Sequence, residues 1–130
     1  MIFRMRSNLG KHPKRLWILE NDADLNLLLT HIAKNHGFEV KNLTHLAQAW
    51  VCLRDEKKPD RVISSAQLPD GTSSDWLLQL RERYPEIPIL CLYATPIHES
   101  IRLTLRAAGI LFRAKPVTLA QLYEIIEERR

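Results

Sequence analysis

Four apolar runs in this chain each lead into residues that can do chemistry. Leu16-Trp17-Ile18-Leu19 leads into Glu20-Asn21-Asp22, and Arg61-Val62-Ile63 into Ser64-Ser65. Ile87 to Leu92 leads into Tyr93-Ala94-Thr95, and Ile110-Leu111-Phe112 is followed at short range by Lys115-Pro116. Together they offer carboxylates, a serine hydroxyl, a phenol and a primary ammonium. If the four ends converge, that set can bind a charged group or carry a transferred one. A serine attacks only with a base beside it, and Glu20 is the candidate base for Ser65.

Convergence depends on the elements between these ends. Leu16–Leu19 is too short for a helix and suits a strand buried on both faces. Asp22 can cap a helix through about Asn35, with Leu25, Leu28, Leu29 and Ile32 at helical spacing and Gly37 at its end. Phe38 to Leu43 alternates as a second strand. Thr44 opens a second helix with the stripe Leu46, Trp50 and Leu53, which Pro59-Asp60 ends. Arg61–Ser65 is a third strand, and Leu68-Pro69-Asp70-Gly71 is a turn. A helix from about Ser73 to Arg83 buries Trp76, Leu77 and Leu80. Ile87 to Tyr93 is a fourth strand. Ile97 to Ala108 is a helix with Ile101 and Leu105 inward. Ile110 to Phe112 begins a fifth strand, and Thr118 caps a last helix with Leu119, Leu122 and Ile126 buried.

This βα repeat predicts an α/β fold: a five-stranded parallel sheet of order 2-1-3-4-5, flavodoxin-like, in a (βα)5 three-layer sandwich. Ligands of such sheets sit beyond the carboxyl ends of the strands, between the first and third. All four chemistry-bearing ends therefore belong to one crevice.

Composition narrows the classes. In 130 residues, 45% hydrophobic and 26% charged are ordinary globular values. The apolar runs are too short to cross a bilayer, and residues 1–15 lack the apolar centre of a secretory signal, so a cytoplasmic location and no membrane partner are expected. The net charge of +4 is unevenly placed. Arg4, Arg6, Lys11, Lys14 and Arg15 precede any acid, which leaves 14 bases against 15 acids in 16–130. Residues 1–14 read as a flexible basic leader and 15–130 as the domain. Nucleic acid is not expected as this domain's partner, since the basic excess is thin and confined to the leader. Cys52 and Cys91 make no disulfide framework or zinc spacing and read as buried thiols.

Over residues 15 to about 130 the chain resembles the receiver domains of bacterial response regulators, the CheY-like family. The resemblance lies in Leu16–Asp24 (LWILENDAD), Pro59–Gly71 (PDRVISSAQLPDG), Pro88–Thr95 (PILCLYAT) and Ala108–Pro116 (AGILFRAKP). It implies a magnesium site of two acids after the first strand, where this chain has Glu20 and Asn21. It implies a phosphate-accepting aspartate at the end of the third strand, where this chain has Ser65. A threonine or serine is implied where Tyr93 stands, and a lysine where Lys115 stands. The family's switch aromatic on the fifth strand falls near Arg113, with Phe112 one step back.

These departures remove the usual chemistry. Ser65 cannot form an acyl phosphate, and Glu20 with neutral Asn21 and Ser65 is a poor magnesium set. No metal and no cofactor are expected. Lys115, without an aspartate and ion to face, is expected to pair with Glu20 or Asp22. Asp70 is explained by its turn better than as a substitute acceptor, and His31 and His36 do not share a helix face. Arg102, Arg106 and Arg113 with Glu124 and Glu127 suit a homodimer through the fourth helix, fifth strand and fifth helix.

The sequence thus reads as an atypical receiver, a pseudo-receiver and not an enzyme. It would act by protein–protein interaction, on a partner or output domain, in bacterial signal transduction or transcriptional regulation. The alternatives are a phosphorelay receiver with a non-standard acceptor and a small-molecule-binding flavodoxin-like domain, the latter to be marked by a substantial pocket at Glu20, Ser65 and Lys115.

Overall fold

Alternation along the strands divides the apolar residues between two helical layers. Leu16 and Ile18 pack with Ile63 and Leu92 on one face of the sheet, while Trp17, Leu19, Val62, Ile89 and Cys91 pack on the other. A strand with both faces apolar must be covered twice, which is why a continuous apolar run such as Leu16–Leu19 sits at the centre of a parallel sheet.

The structure, a computed structural model, describes residues 14–127. Its strands are β1 (Lys14–Leu19), β2 (Phe38–Leu43), β3 (Arg61–Ser65), β4 (Gln67–Leu68), β5 (Gly71–Thr72), β6 (Ile89–Tyr93) and β7 (Leu111–Ala114). Its helices are α1 (Ala23–Asn35), α2 (Leu46–Asp55), α3 (Ser74–Arg83), α4 (Glu99–Ala107) and α5 (Leu119–Glu127). The parallel sheet runs β2-β1-β3-β6-β7, the expected 2-1-3-4-5 order when the short antiparallel ribbon β4–β5 is set aside. Helices α1 and α5 cover one face, and α2, α3 and α4 the other.

Several boundaries differ from expectation. β1 starts at Lys14, one residue inside the expected leader, whose remainder lies outside the described residues. α2 opens at Leu46 with His45, not Thr44, at its N-cap. β6 starts at Ile89 instead of Ile87, because Arg81 gathers the carbonyls of Tyr84, Pro85 and Ile87 into a turn. α4 starts at Glu99 instead of Ile97, where His98 accepts from the Ser100 N–H as its cap. β7 is Leu111–Ala114, one residue later than expected at its start.

Four residues expected on buried stripes are exposed: Leu28, Trp50, Ile101 and Leu119. On α1 the packed face is Asn26, Leu29, Thr30, Ile32 and Ala33, because the side chains of Asn26 and Thr30 are hydrogen-bonded inside it. This turns Leu28 outward. On α2 the face centres on Leu46, Ala49, Cys52 and Leu53, leaving Trp50 at its edge. Leu119 lies in the first turn of α5, ahead of buried Leu122, Ile125 and Ile126. Trp76 is fully buried against Trp17, with ring centroids 6.4 Å apart, and its indole N–H donates to the Ala49 carbonyl at 2.9 Å.

Candidate functional site

Three of the four strands of the crevice, β1, β3 and β7, are held one step beyond their own ends. The Glu20 N–H donates to the Leu43 carbonyl at 2.9 Å, Ala66 N–H to Leu92 at 2.7 Å, and Lys115 N–H to Tyr93 at 2.8 Å. These backbone bonds bring Glu20, Ser65 and Lys115 to a common edge. Beneath Glu20, the Asn26 amide donates to its carbonyl at 2.9 Å. Asn26 is in turn fixed by Thr30 and by Asn42, whose amide donates to both. This polar cluster couples β1, β2 and α1, and sequence reading missed it. Asn42 falls on β2 on the side of Phe38 and Val40, where alternation calls for an apolar residue and gives no sign of a polar partner on α1.

The Lys115 ammonium is the hub of the crevice. It lies 2.8 Å from Glu20 Oε1 and donates to Ser65 Oγ at 3.2 Å. Glu20 is 2% exposed and Lys115 20%, so the pair is largely out of water. The second Glu20 oxygen, Oε2, accepts from the Asp22 N–H at 2.9 Å. Ser65 Oγ also donates to the Gln67 carbonyl at 3.2 Å. The hydroxyl for which Glu20 is the candidate base is therefore turned toward Gln67 and Lys115. Lys115 pairs with Glu20, one of the two expected carboxylates. Asp22 is occupied elsewhere, its Oδ1 capping α1 at the Leu25 N–H, 3.1 Å away.

The expected set converges only in part. Glu20, Ser65 and Lys115 meet, while Asn21 is exposed and takes no part in their hydrogen bonds. Tyr93 is half-buried and lies edge-on to Phe112, with centroids 6.3 Å apart and planes at 71°. The aromatic partner of the fourth sheet strand is thus Phe112, the residue one step back from Arg113. Phe112 is in register with Cys91 and shares the face that Tyr93 uses, whereas Arg113 is in register with Leu92 on the other. The Arg113 Nε is buried without a hydrogen-bond partner among the described residues.

A divalent cation does not fit the donors as they stand. Both Glu20 oxygens and the Ser65 hydroxyl are engaged by protein groups, and the charge facing Glu20 is the Lys115 ammonium. Among the described residues, no three His, Cys, Asp or Glu side chains gather to hold a metal.

Asp70 has a role no local signal shows. Its two oxygens accept from the Leu46 and Ala47 N–H groups at 2.8 and 3.0 Å, so the Pro-Asp-Gly turn caps α2 from across the chain. The Leu46 N–H, followed by that of Ala47, holds its carboxyl below the usual aspartate value. Gly71, at φ 138°, completes the approach. A Cβ there would come within 3.2 Å of Leu46 Cδ1.

Of the expected dimer-face residues, Arg102, Arg106 and Glu124 are exposed, and Arg113 is half-buried. Glu127 is committed within the chain: its Oε2 meets His36 Nε2 at 3.0 Å, joining the ends of α5 and α1.

Beside the crevice lies a cavity of about 380 Å³, between the N-terminal ends of α3 and α4. Ser65 and Lys115 reach it, but Glu20 does not line it. The pocket thus forms to one side of the place the sequence suggested.

No family model matches this chain. It is 24% identical over 109 residues to the response regulator protein PilR of Pseudomonas aeruginosa, an alignment that takes in 84% of this chain and 24% of PilR. The chain therefore spans about a quarter of that relative's length. Solved structures are similar over most of the fold. A CheY-like receiver domain protein from Methanospirillum hungatei superposes with a TM-score of 0.78 at 20% identity, covering 89% of this chain and 92% of that one. The non-phosphorylated HemR receiver domain of Leptospira biflexa gives 0.74 at 24% identity, covering 90% and 97%. The phosphorylated cyanobacterial phytochrome response regulator RcpA gives 0.73 at 20%, covering 89% and 90%. The chain has the CheY-like receiver fold.

Proposed function

We propose that this chain is an atypical receiver module of a response regulator, which works in signal transduction by protein–protein contact and without aspartyl phosphorylation. The observation that carries this reading is the Lys115 ammonium held between Glu20 and Ser65. An acyl phosphate needs a carboxylate acceptor, and phosphoryl transfer needs its charge neutralised by a cation and a lysine. Here the acceptor position is a serine whose proton is directed at a backbone carbonyl, and the lysine already has its counter-charge. The alignment with PilR and the receiver fold support the signalling context. On this reading the chain binds rather than catalyses, and its output is a partner protein or domain, with transcription one such output. A cytoplasmic setting goes with that role; among the described residues no helix is long and apolar enough to cross a membrane.

The test is intact-mass spectrometry after incubation with acetyl phosphate and magnesium, with beryllofluoride and magnesium followed by NMR in parallel. No phosphoryl adduct and no saturable shift near Ser65 are expected. A stoichiometric adduct mapped to Ser65 or to another residue would establish a phosphorelay receiver with a non-standard acceptor instead.

The face of α4, β7 and α5 supports a homodimer as the working assembly. It exposes Leu103, Leu111 and Leu119 beside Arg102, Arg106 and Glu124. Apolar groups ringed by both charges suit a self-complementary contact. Sedimentation velocity should show a dimer that Leu103→Glu shifts to monomer; a chain monomeric at all concentrations removes the homodimer from this reading.

A further inference from the structure

We propose that the cavity between α3 and α4 is a binding site for an uncharged small molecule with an apolar ring body and one hydrogen-bonding group. Its volume, about 380 Å³, lies within the range of small-molecule pockets. The walls are apolar on the α4 side, from Pro96, Ile97, Ile101 and Leu105, with Cys91 at the sheet. Ile101, one turn before buried Leu105 on α4, lines the cavity and is 39% exposed.

One polar group in this wall is poorly partnered. Ser73 is 1% exposed and lines the cavity, and the only group its Oγ meets is the Cys91 thiol, with no oxygen or nitrogen partner among the described residues. It stands at the N-cap of α3 but makes no capping bond with its side chain. Its neighbour, the Cys91 thiol, is a weak acceptor at best. A buried hydroxyl left unmade costs free energy, and a ligand group reaching it removes that cost.

The charges around the cavity select an uncharged ligand. Lys115 would favour an anion, but its ammonium is matched by Glu20 at 2.8 Å. The N-terminal ends of α3 and α4 would also favour one. Each, however, carries an acid in its first turn, Asp75 on α3 and Glu99 on α4, and His98, which lines the cavity, has its Nδ1 engaged by Ser100 at 2.8 Å. An anion entering here would be desolvated without a free counter-charge. This inference does not rest on the pseudo-receiver reading: an adduct at Ser65 would overturn that reading and leave this one standing.

The test is a two-dimensional amide NMR titration of the full chain with 2-naphthol, alongside 2-naphthoate. Saturable shifts at Ser73, Ile97, Ile101 and Leu105 are expected with 2-naphthol, and binding about tenfold weaker with the carboxylate. Ser73→Ala, which removes no capping bond, should weaken 2-naphthol about tenfold, the loss expected of one buried hydrogen bond. Ile101→Trp, at a half-open wall position, should fill the cavity and abolish the shifts while leaving the remaining spectrum folded. Shifts that fail to saturate, that persist in the folded Ile101→Trp variant, or that are equal for naphthol and naphthoate would overturn the proposal.

Discussion

Replacing Lys115 by methionine would leave Glu20 as a carboxylate 2% exposed with no ammonium beside it. Removing one member of a buried pair costs about 3 kcal/mol, because the surviving charge keeps its desolvation penalty. Lys115→Met should therefore lower the denaturant midpoint strongly, and the double variant Glu20→Gln/Lys115→Met should recover most of the loss. Chemical denaturation of the set measures this; a cost for Lys115→Met well below about 1 kcal/mol would show the pair to be solvated. His36 gives a second test at this scale. Its bond to the Ile32 carbonyl, then its contact with Glu127, raise its pKa above 6.5. The stability from this contact is present in full below pH 6.5 and fades as pH rises through the higher folded value. NMR titration of the His36 ring should show that raised pKa, and Glu127→Gln should bring it down toward the ordinary value.

Between elements, the Asp70 cap ties the β4–β5 turn to α2. Because the folded carboxyl titrates below 3.8, its contribution is whole above that pH and is lost as pH falls through the folded value. Asp70→Asn should narrow the stability gap to wild type as pH drops toward 3, as followed by thermal melts across that range. This link shows why parts of the molecule could not be read from the chain. β2 and β3 have the expected bounds because alternation and Pro59 are local signals. The Asp22 cap and the Lys115–Glu20 pair also follow from residue type once the topology is known. The contact of Asp70 with Leu46, 24 residues away, has no such local sign. The polar face of α1 is hidden likewise: Asn26 and Thr30 look solvated until Asn42 is placed over them. The cavity beside Ile101 is a packing outcome that helical spacing cannot show.

For the molecule as a whole, the two cysteines report on its opening. Cys52 and Cys91 are both buried free thiols. Burial pushes Cys52 up to about 11 and Cys91 up to about 12, so neither carries appreciable thiolate at neutral pH. Labelling by iodoacetamide at pH 8 should be slow in the folded chain and proceed at the rate of opening. Trp76→Ala, which empties the packing against Trp17 and frees the Ala49 carbonyl, should cost about 3–5 kcal/mol. It should also accelerate labelling of both thiols together. Fast modification of Cys91 in the unaltered chain would show that the sheet's interior is not closed.

Arg61 gives the molecule a direction. From the start of β3 its guanidinium donates to the carbonyls of Ile125 and Ile126, securing the last turn of α5, while its backbone stands in register with Leu16 near the start of β1. Lys14 and Glu127 therefore both lie at the edge where strands begin, and the crevice lies where they finish. A molecule tethered to a sensor surface beside either residue would stand with its crevice and cavity facing the flowing solution. The same orientation would let a bulky label at that edge leave ligand entry unobstructed.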